Sequence, residues 1–296
     1  MIKITAIIVT YNRLEKLKKN IRALLEQKYV PSTILIVDNN SSDGTQSFLE
    51  ELKNRNELVH VCRLAENVGG AGGFSYGIKF AAKNFSDDYF WLMDDDTIPQ
   101  ENCLAELVKT VVFLNGKFGF LCSDVRWTDG EPALMNVPMP TRDWNYYENS
   151  DVIKLKYATF VSVLLSRKVV NKVGLPYSDF FIWGDDVEYT TYISRQFESY
   201  YVKSSVVIHE MANNSAPDIL NTPEDRISRF YYDFRNRFVI ERENRGSVKG
   251  NLKATVYSLN YLLKVVLKRK GLKKAKVIIK GSIDGFFFHP IRKYIR

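Results

Sequence analysis

The apolar residues of the N-terminal third form short runs that alternate with segments of helical spacing. Residues 3–10 (KITAIIVT) are a β-branched run typical of a strand buried on both faces. Residues 13–27 place leucine and isoleucine at intervals of three and four, which predicts an amphipathic helix. The alternation continues with strands at 33–37, 58–63 and 89–93 and with helices that end near residues 52 and 84. Such alternation predicts βαβ units, right-handed crossovers and a parallel sheet.

The pattern is less regular beyond residue 120. It predicts loops or a β-ribbon over 126–152, a strand over 157–165, a helix that opens at the acids of 179–196, a strand over 200–209, and three helices at roughly 224–244, 248–270 and 272–285. The predicted fold is therefore an α/β domain over residues 1–222, with a mostly parallel central sheet flanked by helices. A basic helical C-terminal region over residues 223–296 follows it.

Charge distinguishes the two regions. The net charge of the 296-residue chain is +8, but residues 1–244 carry 28 basic and 33 acidic residues. Residues 245–296 carry 14 basic residues and one acid, Asp284. This asymmetry suggests an anionic membrane surface as partner, and a helical appendage with a solvated basic face is an equally supported alternative. Nucleic acid is disfavoured because no helix-turn-helix, RRM or zinc-finger pattern accompanies the charge.

Cysteine usage and hydropathy indicate a cytoplasmic protein. Cys62, Cys103 and Cys122 lie in or beside apolar segments without metal-ligand spacing, which predicts buried reduced thiols. The apolar run at the N-terminus is too short for a signal peptide. No run of about 18 uncharged apolar residues predicts a membrane-spanning helix.

Polar clusters follow each predicted strand of the first half. These clusters are TYNR, DNNSSDGT, ENVGGAGG and DDDT. Any one of them could be an ordinary turn, because Asn, Asp, Ser and Gly favour turns for backbone reasons. Ligands of open parallel sheets, however, bind outside the carboxyl ends of the strands. Four clusters on that edge together predict a binding site.

The last cluster places Asp94, Asp95 and Asp96 where a buried strand ends. Two unit charges about 4 Å apart repel by about 4 kcal/mol at an effective dielectric near 20, so the triplet calls for a cation, a proton or a ligand. Mg²⁺ and Mn²⁺ prefer carboxylate oxygens, and Mn²⁺ also accepts imidazole, which makes His209 a candidate ligand. A lone histidine at a strand end is more often structural. The acids Asp185, Asp186 and Glu188 could equally be helix-capping residues.

The motifs IIVTYNR, VDNNSSDGT, NVGGAGG, WLMDDDTIP and GDDVEY occur in the order and spacing of family 2 glycosyltransferases of the GT-A fold. The sequence resembles that family over residues 3–210. The glycine loop followed by Phe74, together with DDD and WGDDVEY, most resembles bacterial galactofuranosyltransferases, with the related rhamnosyltransferases close behind. The segment YYDFRNRF, residues 231–238, is similar to one that follows the catalytic domain in these enzymes.

The resemblance implies roles for individual residues. A nucleotide-sugar donor would contact Thr10, Tyr11, Arg13, Asp38, Asn67, Gly70, Gly73, Asp94 and Asp95, with Asp38 on the base and Asp95 on the ribose or the donor sugar. The cation, Mn²⁺ or Mg²⁺, would be held by Asp96, Asp94 and His209. Asp186 is the implied general base, with Asp185 as the alternative. The acceptor side would include Trp183, Arg235 and Asn236.

The resemblance further implies an inverting transfer of a hexosyl group to a glycan or a lipid-diphosphate-linked acceptor in cell-surface polysaccharide synthesis. UDP-galactofuranose is the expected donor and dTDP-rhamnose the alternative. The expected location is peripheral, at the inner face of the bacterial plasma membrane. A nucleotidyltransferase would usually show a glycine-rich basic loop after the first strand, where this chain has TYNRLEK. Acids at both sites argue against a non-catalytic membrane or nucleic-acid adaptor.

Overall fold

A computed structural model describes residues 2–148, 150–268 and 271–295. The chain divides into two compact units. Unit 1 comprises Met1–Ser178, Asp186–Ser215 and Arg292–Arg296, and unit 2 comprises Asp179–Asp185 and Ala216–Ile291. The sequence predicts a single boundary at residue 222. In this division, by contrast, each unit contains segments that are separate in sequence.

The first half of unit 1 alternates strands and helices. Its elements are β1 (Ile4–Thr10), α1 (Leu14–Leu25), β2 (Thr33–Asp38), α2 (Thr45–Arg55), β3 (Val59–Arg63), α3 (Gly69–Asn84) and β4 (Tyr89–Asp94). The four strands pair in parallel in the order β3-β2-β1-β4. Every residue of β1 and β2 is buried, which explains their continuous apolar runs.

The second half of unit 1 extends the sheet with several antiparallel pairings and one parallel pairing. Its elements are β5 (Thr97–Pro99), α4 (Cys103–Phe113), β6 (Phe120–Arg126), β7 (Met139–Pro140), β8 (Val152–Tyr157), β9 (Val163–Ser166), α5 (Arg167–Val173), α6 (Asp185–Ser194, whose first residue belongs to unit 2) and β10 (Tyr200–His209). Across the described residues the strand order is β3-β2-β1-β4-β9-β6-β10-β8-β7, and β5 pairs with β10. Elements α4, β6 and α5 have no counterpart among those predicted from the pattern.

The single strand predicted over residues 157–165 is wrong. β8 ends at Tyr157 and pairs with β10, whereas β9 begins at Val163 and runs antiparallel between β4 and β6. The chain therefore changes its pairing partners within this apolar segment. Because residues 157–165 (YATFVSVLL) form one mostly apolar run, the pattern does not reveal where β8 ends and β9 begins.

Helices cover both faces of the sheet. Alternate residues of β1 point to opposite sides, so Ile4 and Ile8 belong to one core cluster and Ile7 and Val9 to the other. The first cluster includes residues of α1 and α4, and the second includes residues of α3, α5 and α6. The resulting three-layer α/β architecture leaves the strand ends as the place where polar side chains can gather.

Unit 2 is helical within its described residues. After a 3₁₀ turn at Glu224–Arg229 come α7 (Phe230–Arg245), α8 (Ser247–Leu267) and α9 (Leu272–Phe287). Gly281 and Gly285 of α9 let it pack closely on α7, because a Cβ there would lie 2.6 Å and 2.7 Å from the carbonyl oxygens of Tyr231 and Arg235. Residues 269–270, within the predicted helix 248–270, lie outside the described residues. None of the helices in the described ranges combines the length and hydropathy needed to cross a bilayer.

Candidate active site

The strand register aligns polar residues at one edge of unit 1. Thr10 at the end of β1 is paired with Asp38 of β2, and Asp38 with Arg63 of β3. On the other side of β1, Val9 is paired with Asp94 of β4. The polar clusters that end successive strands therefore lie side by side, as the alternating pattern predicts.

The pairing of β5 with β10 brings a histidine to the aspartate triplet. Thr97, the residue after the triplet, is paired with His209 in the antiparallel register. A carboxylate oxygen from each of Asp94 and Asp96 and a ring nitrogen of His209 all lie within 4.8 Å of one another. Asp96 and His209 are almost fully buried, whereas Asp94 is partly exposed.

Asn136 orients the His209 ring. Nδ2 of Asn136 donates to Oγ1 of Thr159 at 3.0 Å, so its Oδ1 faces Nδ1 of His209 at 2.8 Å. This network assigns the Nδ1–H tautomer, in which Nε2 carries the lone pair. Nε2 lies 3.1 Å from Oδ1 of Asp96. Because Nε2 and the carboxylate oxygen are both acceptors, this short distance requires a proton between them or a metal ion that binds both.

Two basic side chains of the α1 region contact the triplet. Nη1 of Arg13 donates to Oδ2 of Asp96 at 2.5 Å and lies 3.4 Å from Oδ1 of Asp95. Nζ of Lys16 lies 3.2 Å from the same Oδ2 and also donates to the Glu210 carbonyl. Although burial opposes it, a proton held between His209 Nε2 and Asp96, together with the charges of His209, Arg13 and Lys16, holds the pKa of Asp96 well below its usual range.

The other two aspartates have raised pKa values. Burial, and then the charge of Asp96, raises the pKa of Asp94 to about 7. Burial raises the pKa of Asp95 to about 6 against the opposing charge of Arg13, and Oγ1 of Thr10 donates to its Oδ2 at 2.7 Å. The three carboxylates thus have different electrostatic environments although they are adjacent in sequence.

The donor atoms of this cluster suit a divalent cation. Two carboxylates and one imidazole match Mn²⁺, and the carboxylates alone match Mg²⁺. The hydrogen bond from His209 to Asn136 is the outer contact that commonly fixes a metal-binding histidine. The residues present therefore fit the predicted cation, and Asp94, Asp96 and His209 would hold it.

Asp38 is engaged by protein groups on both oxygens. Nη1 of Arg63 donates to its Oδ2 at 2.6 Å, and the backbone N–H of Ser41 donates to its Oδ1 at 2.9 Å. The Asp38 side chain is fully buried, whereas about a third of Arg63 is exposed. A nucleotide base that reaches this point would meet Arg63 as well as Asp38.

The glycine loop has two kinds of glycine. A Cβ on Gly70 would meet no atom within 4 Å, so this position faces open space. A Cβ on Gly73 would lie 2.5 Å from Cγ1 of Val9, which shows that Gly73 packs α3 against β1. Asn67 accepts the backbone N–H of Gly69 at 2.9 Å and so shapes the start of α3. Tyr11 is exposed at the end of β1.

Helix α6 carries the acids of the GDDVEY motif. Burial raises the pKa of the half-buried Asp186 to about 6, although backbone hydrogen bonds from Val187 and Phe160 oppose the rise. Asp185 is buried at the first position of the helix.

Glu188 forms a buried ion pair with a residue from the far end of the chain. Nη2 of Arg292 lies 2.6 Å from its Oε1, and the two side chains are 8% and 2% exposed. Arg292 also donates to the Leu175 carbonyl at 3.0 Å and stacks 4.3 Å from the ring centres of Tyr177 and Tyr192. Glu188 is therefore anchored within unit 1 on the helix that bears Asp186.

The residues predicted for the acceptor side shape a loop of unit 2. Nδ2 of Asn236 donates to the carbonyls of Phe180, Ile182 and Trp183 at 3.0, 3.1 and 2.9 Å. Arg235 donates to the Asp179 carbonyl at 2.6 Å. The loop contains positive φ angles at Phe181 (64°), Trp183 (66°) and Gly184 (86°). Such angles are strained for bulky residues, so Asn236 and Arg235 stabilise an unusual turn that leads into α6.

Several site residues have no place in the sequence prediction. Lys16 could have been found because it lies one helical turn after Arg13, and Arg63 because it ends a strand. Asn136 lies in an irregular loop, and Arg292 is 104 residues from Glu188, so neither gives a local signal.

The three-layer α/β architecture, with this cluster at the edge of its sheet, is the GT-A glycosyltransferase fold. GalNAc-T7, in a crystal structure with UDP, GalNAc and Mn²⁺, matches with a TM-score of 0.60 at 15% identity, over 82% of this chain and 51% of that one. The family model "Glycosyl transferase family 2" matches residues 5–174, more than half of the sequence, and the chain therefore belongs to this family.

Two curated relatives are similar to parts of the chain. Galactofuranosyltransferase GlfT1 of Mycobacterium tuberculosis is 24% identical over 199 residues, which is 62% of each protein. Poly-beta-1,6-N-acetyl-D-glucosamine synthase of Staphylococcus aureus is 33% identical over 99 residues, covering 33% of this chain and 23% of the synthase. The chain thus spans less than two thirds of the length of either relative.

Proposed function

We propose that the chain is an inverting, divalent-cation-dependent glycosyltransferase that moves galactofuranose from UDP-galactofuranose to a growing cell-surface polysaccharide. The acceptor is a glycan or a saccharide carried on a lipid diphosphate. The observation that carries the proposal is the Asp94–Asp96–His209 cluster at the strand ends of a family 2 chain. The similarity to a galactofuranosyltransferase supports the choice of donor.

The donor half of the site supplies charge for a nucleoside diphosphate. A bound Mn²⁺ or Mg²⁺ would neutralise the diphosphate and stabilise it as a leaving group. Arg13 and Lys16 add two positive charges beside the carboxylates. Asp95, held by Thr10, is the group proposed to bind the ribose or the donor sugar. Gly70 leaves room for a ligand to approach the α3 backbone.

Asp186 is the proposed general base. Its carboxylate takes the proton of the acceptor hydroxyl while that oxygen bonds to the anomeric carbon and the bond to the diphosphate oxygen breaks. A single displacement of this kind inverts the anomeric centre, through a transition state that is oxocarbenium-like by analogy with glycosidases. With a pKa of about 6, Asp186 is ionised at neutral pH, and its pKa is close enough to the working pH for it to accept a proton efficiently.

A donor panel tests the proposal. The full chain is incubated with Mn²⁺ and UDP-galactofuranose, UDP-galactopyranose or dTDP-rhamnose, and nucleotide release is measured with and without EDTA. We expect release from UDP-galactofuranose that EDTA abolishes. Turnover of dTDP-rhamnose alone would replace the proposed donor, and turnover unchanged by EDTA would remove the cation from the proposal.

Two variants separate the roles of the acids. Asp96→Ala should abolish Mn²⁺-dependent UDP release, whereas the matched control Glu15→Ala, whose side chain is 80% exposed, should not change it. Asp186→Asn should keep donor affinity within about twofold and lower transfer at least a hundredfold, in line with loss of a general base. Loss of donor binding in Asp186→Asn would instead assign Asp186 to the donor site.

A further inference from the structure

Helix α8 exposes an apolar stripe opposite its buried face. Its buried residues are Gly250, Ala254, Ser258 and Val265. On the opposite side, at helical intervals of three and four residues, lie Val248, Leu252, Val256, Leu259, Leu263 and Val266, each 56–83% exposed. A stripe over 21 residues extends about 30 Å, which is unusual for a surface in contact only with water.

Helix α9 continues this apolar surface. Its buried side packs with Ile278, Gly281 and Gly285, and its outer side exposes Leu272, Ile279, Ile283, Phe286 and Phe287. Between the two helices is a groove of ≈ 350 Å³ lined by residues that include Leu259, Leu262 and Ile283. Its hydroxyls are those of Thr255, Ser258 and Ser282, and the two serines are bonded to each other at 2.8 Å. The groove therefore offers little to a polar ligand. We call these exposed residues and the groove the α8–α9 face.

Lysines border the α8–α9 face. Lys249 follows Val248 by one residue, and Lys268 follows Leu267 in the same way, while Lys276 lies between Leu272 and Ile279 on the outer side of α9. All three are exposed. Within the described parts of 246–291 the single acid is Asp284, whose carboxylate accepts the Tyr231 hydroxyl at 2.7 Å.

This combination selects one occupant. A second copy of the chain seated on the same face would bring two sets of lysines together, which opposes a symmetric dimer. Anionic lipid satisfies both parts of the face, because headgroups pair with the lysines and acyl chains cover the apolar stripes. Lysine side chains can reach the headgroups while their stems remain beside apolar residues.

We propose that the α8–α9 face binds in the plane of a membrane leaflet that contains anionic phospholipid. The inference rests on the proposed function only in that a lipid-linked acceptor gives this binding a purpose. The geometry and charge that carry it belong to unit 2 alone.

Vesicle cosedimentation of the full chain tests the face. Vesicles of phosphatidylcholine with about a third phosphatidylglycerol are compared with pure phosphatidylcholine, at low and high salt. We expect binding to the anionic vesicles that weakens with salt. The triple variant Lys249→Gln, Lys268→Gln, Lys276→Gln should lower the partition coefficient about a hundredfold. Its matched control is Lys28→Gln, Lys53→Gln, Lys109→Gln, three exposed lysines of unit 1.

A second pair of variants tests the apolar contribution. Leu259→Gln with Ile283→Gln, which are 57% and 56% exposed, should lower vesicle binding at least tenfold. The matched control is Val112→Gln with Leu134→Gln, which are 64% and 59% exposed on unit 1. UDP release without vesicles should be the same in all four variants, so failure of the membrane inference is distinguishable from failure of the proposed function.

Three results would overturn the inference. The first is no binding to anionic vesicles by the unmodified chain. The second is a loss of binding in the face variants no larger than in their controls. The third is a stable dimer or an RNA complex in gel filtration that Leu259→Gln with Ile283→Gln disrupts, because the face would then have a different occupant.

Discussion

Replacing Arg292 by Met should destabilise unit 1 more than any surface charge change. The substitution leaves the Glu188 carboxylate, only 2% exposed, without its guanidinium partner at 2.6 Å. Breaking a buried ion pair by removing one partner costs about 3–5 kcal/mol, because an uncompensated charge stays buried. For a unit of about 200 residues, each kcal/mol shifts Tm by about 2–4 °C, so the expected fall is about 6–20 °C.

The matched control is a surface ion pair of the same charge type. Arg55 and Glu51 lie one helical turn apart on α2 with side chains 75% and 58% exposed. Arg55→Met should cost about 1 kcal/mol or less. Differential scanning fluorimetry and urea unfolding of both variants measure the contrast. The double variant Glu188→Gln with Arg292→Met should recover part of the loss, because no charge remains buried.

Two outcomes would refute this reasoning. One is an Arg292→Met variant no less stable than Arg55→Met, which would mean that water or a rearranged side chain solvates Glu188 at little cost. The other is a double variant no more stable than Arg292→Met alone, which would assign the effect to lost aromatic stacking on Tyr177 and Tyr192 instead of to charge.

Four further predictions concern the site. The folded pKa of Asp186, about 6, exceeds its ordinary value of 3.8, so stability falls as pH rises from about 3.8 to about 6 and this loss is complete at pH 7.5. Asp186→Asn should therefore gain about 1–2 kcal/mol at pH 7.5 in urea unfolding while losing transfer. Because protonated Asp186 cannot act as a base, kcat/KM of the unmodified enzyme should fall below about pH 6 at saturating Mn²⁺. If the pH at which kcat/KM falls changes with Mn²⁺ concentration, the fall would belong to the metal ligands instead. Gly73→Ala should lower the free energy of unfolding by about 1–3 kcal/mol because its Cβ would press on β1. Gly70→Ala should leave stability equal or higher and raise the KM for donor. Equal melting temperatures of the two variants would contradict the packing role of Gly73. Asn136→Ala should weaken Mn²⁺ binding about 10–100-fold in calorimetry by freeing the His209 ring, and unchanged affinity would exclude that positioning role.

The parallel half of the fold is predictable because its central strands β1 and β2 are buried on both faces. The runs at β1 and β2 and the helical spacing of α1 follow directly from that burial. The strand β9 is different, because it enters the sheet antiparallel between β4 and β6. Its three apolar residues, Val163, Leu164 and Leu165, end the mostly apolar run 157–165 that begins at the last residue of β8, and nothing local marks the change of partner.

The same distinction applies to the site. Thr10 and Asp94 end strands, and Asp96 lies two residues beyond the end of β4. Strand ends converge by topology, so the sequence locates all three. Asn136 meets His209 across 73 residues of chain, and the loop that carries it has no periodicity. The left-handed φ at Phe181 and Trp183 is equally invisible, since bulky residues rarely adopt it without tertiary contacts such as those of Asn236.

The order of segments along the chain affects how unit 1 can be completed during synthesis. Leu175 and Arg292 are bonded to each other but 117 residues apart, and all the helices α7, α8 and α9 lie between them in sequence. At about 5–20 residues per second, the ribosome needs roughly 6–23 s to make that interval. The pocket around Glu188 therefore lacks Arg292 while the helices of unit 2 are being synthesised. We expect the nascent chain to depend on chaperones over this interval, and the last step of folding to be the docking of a short basic segment.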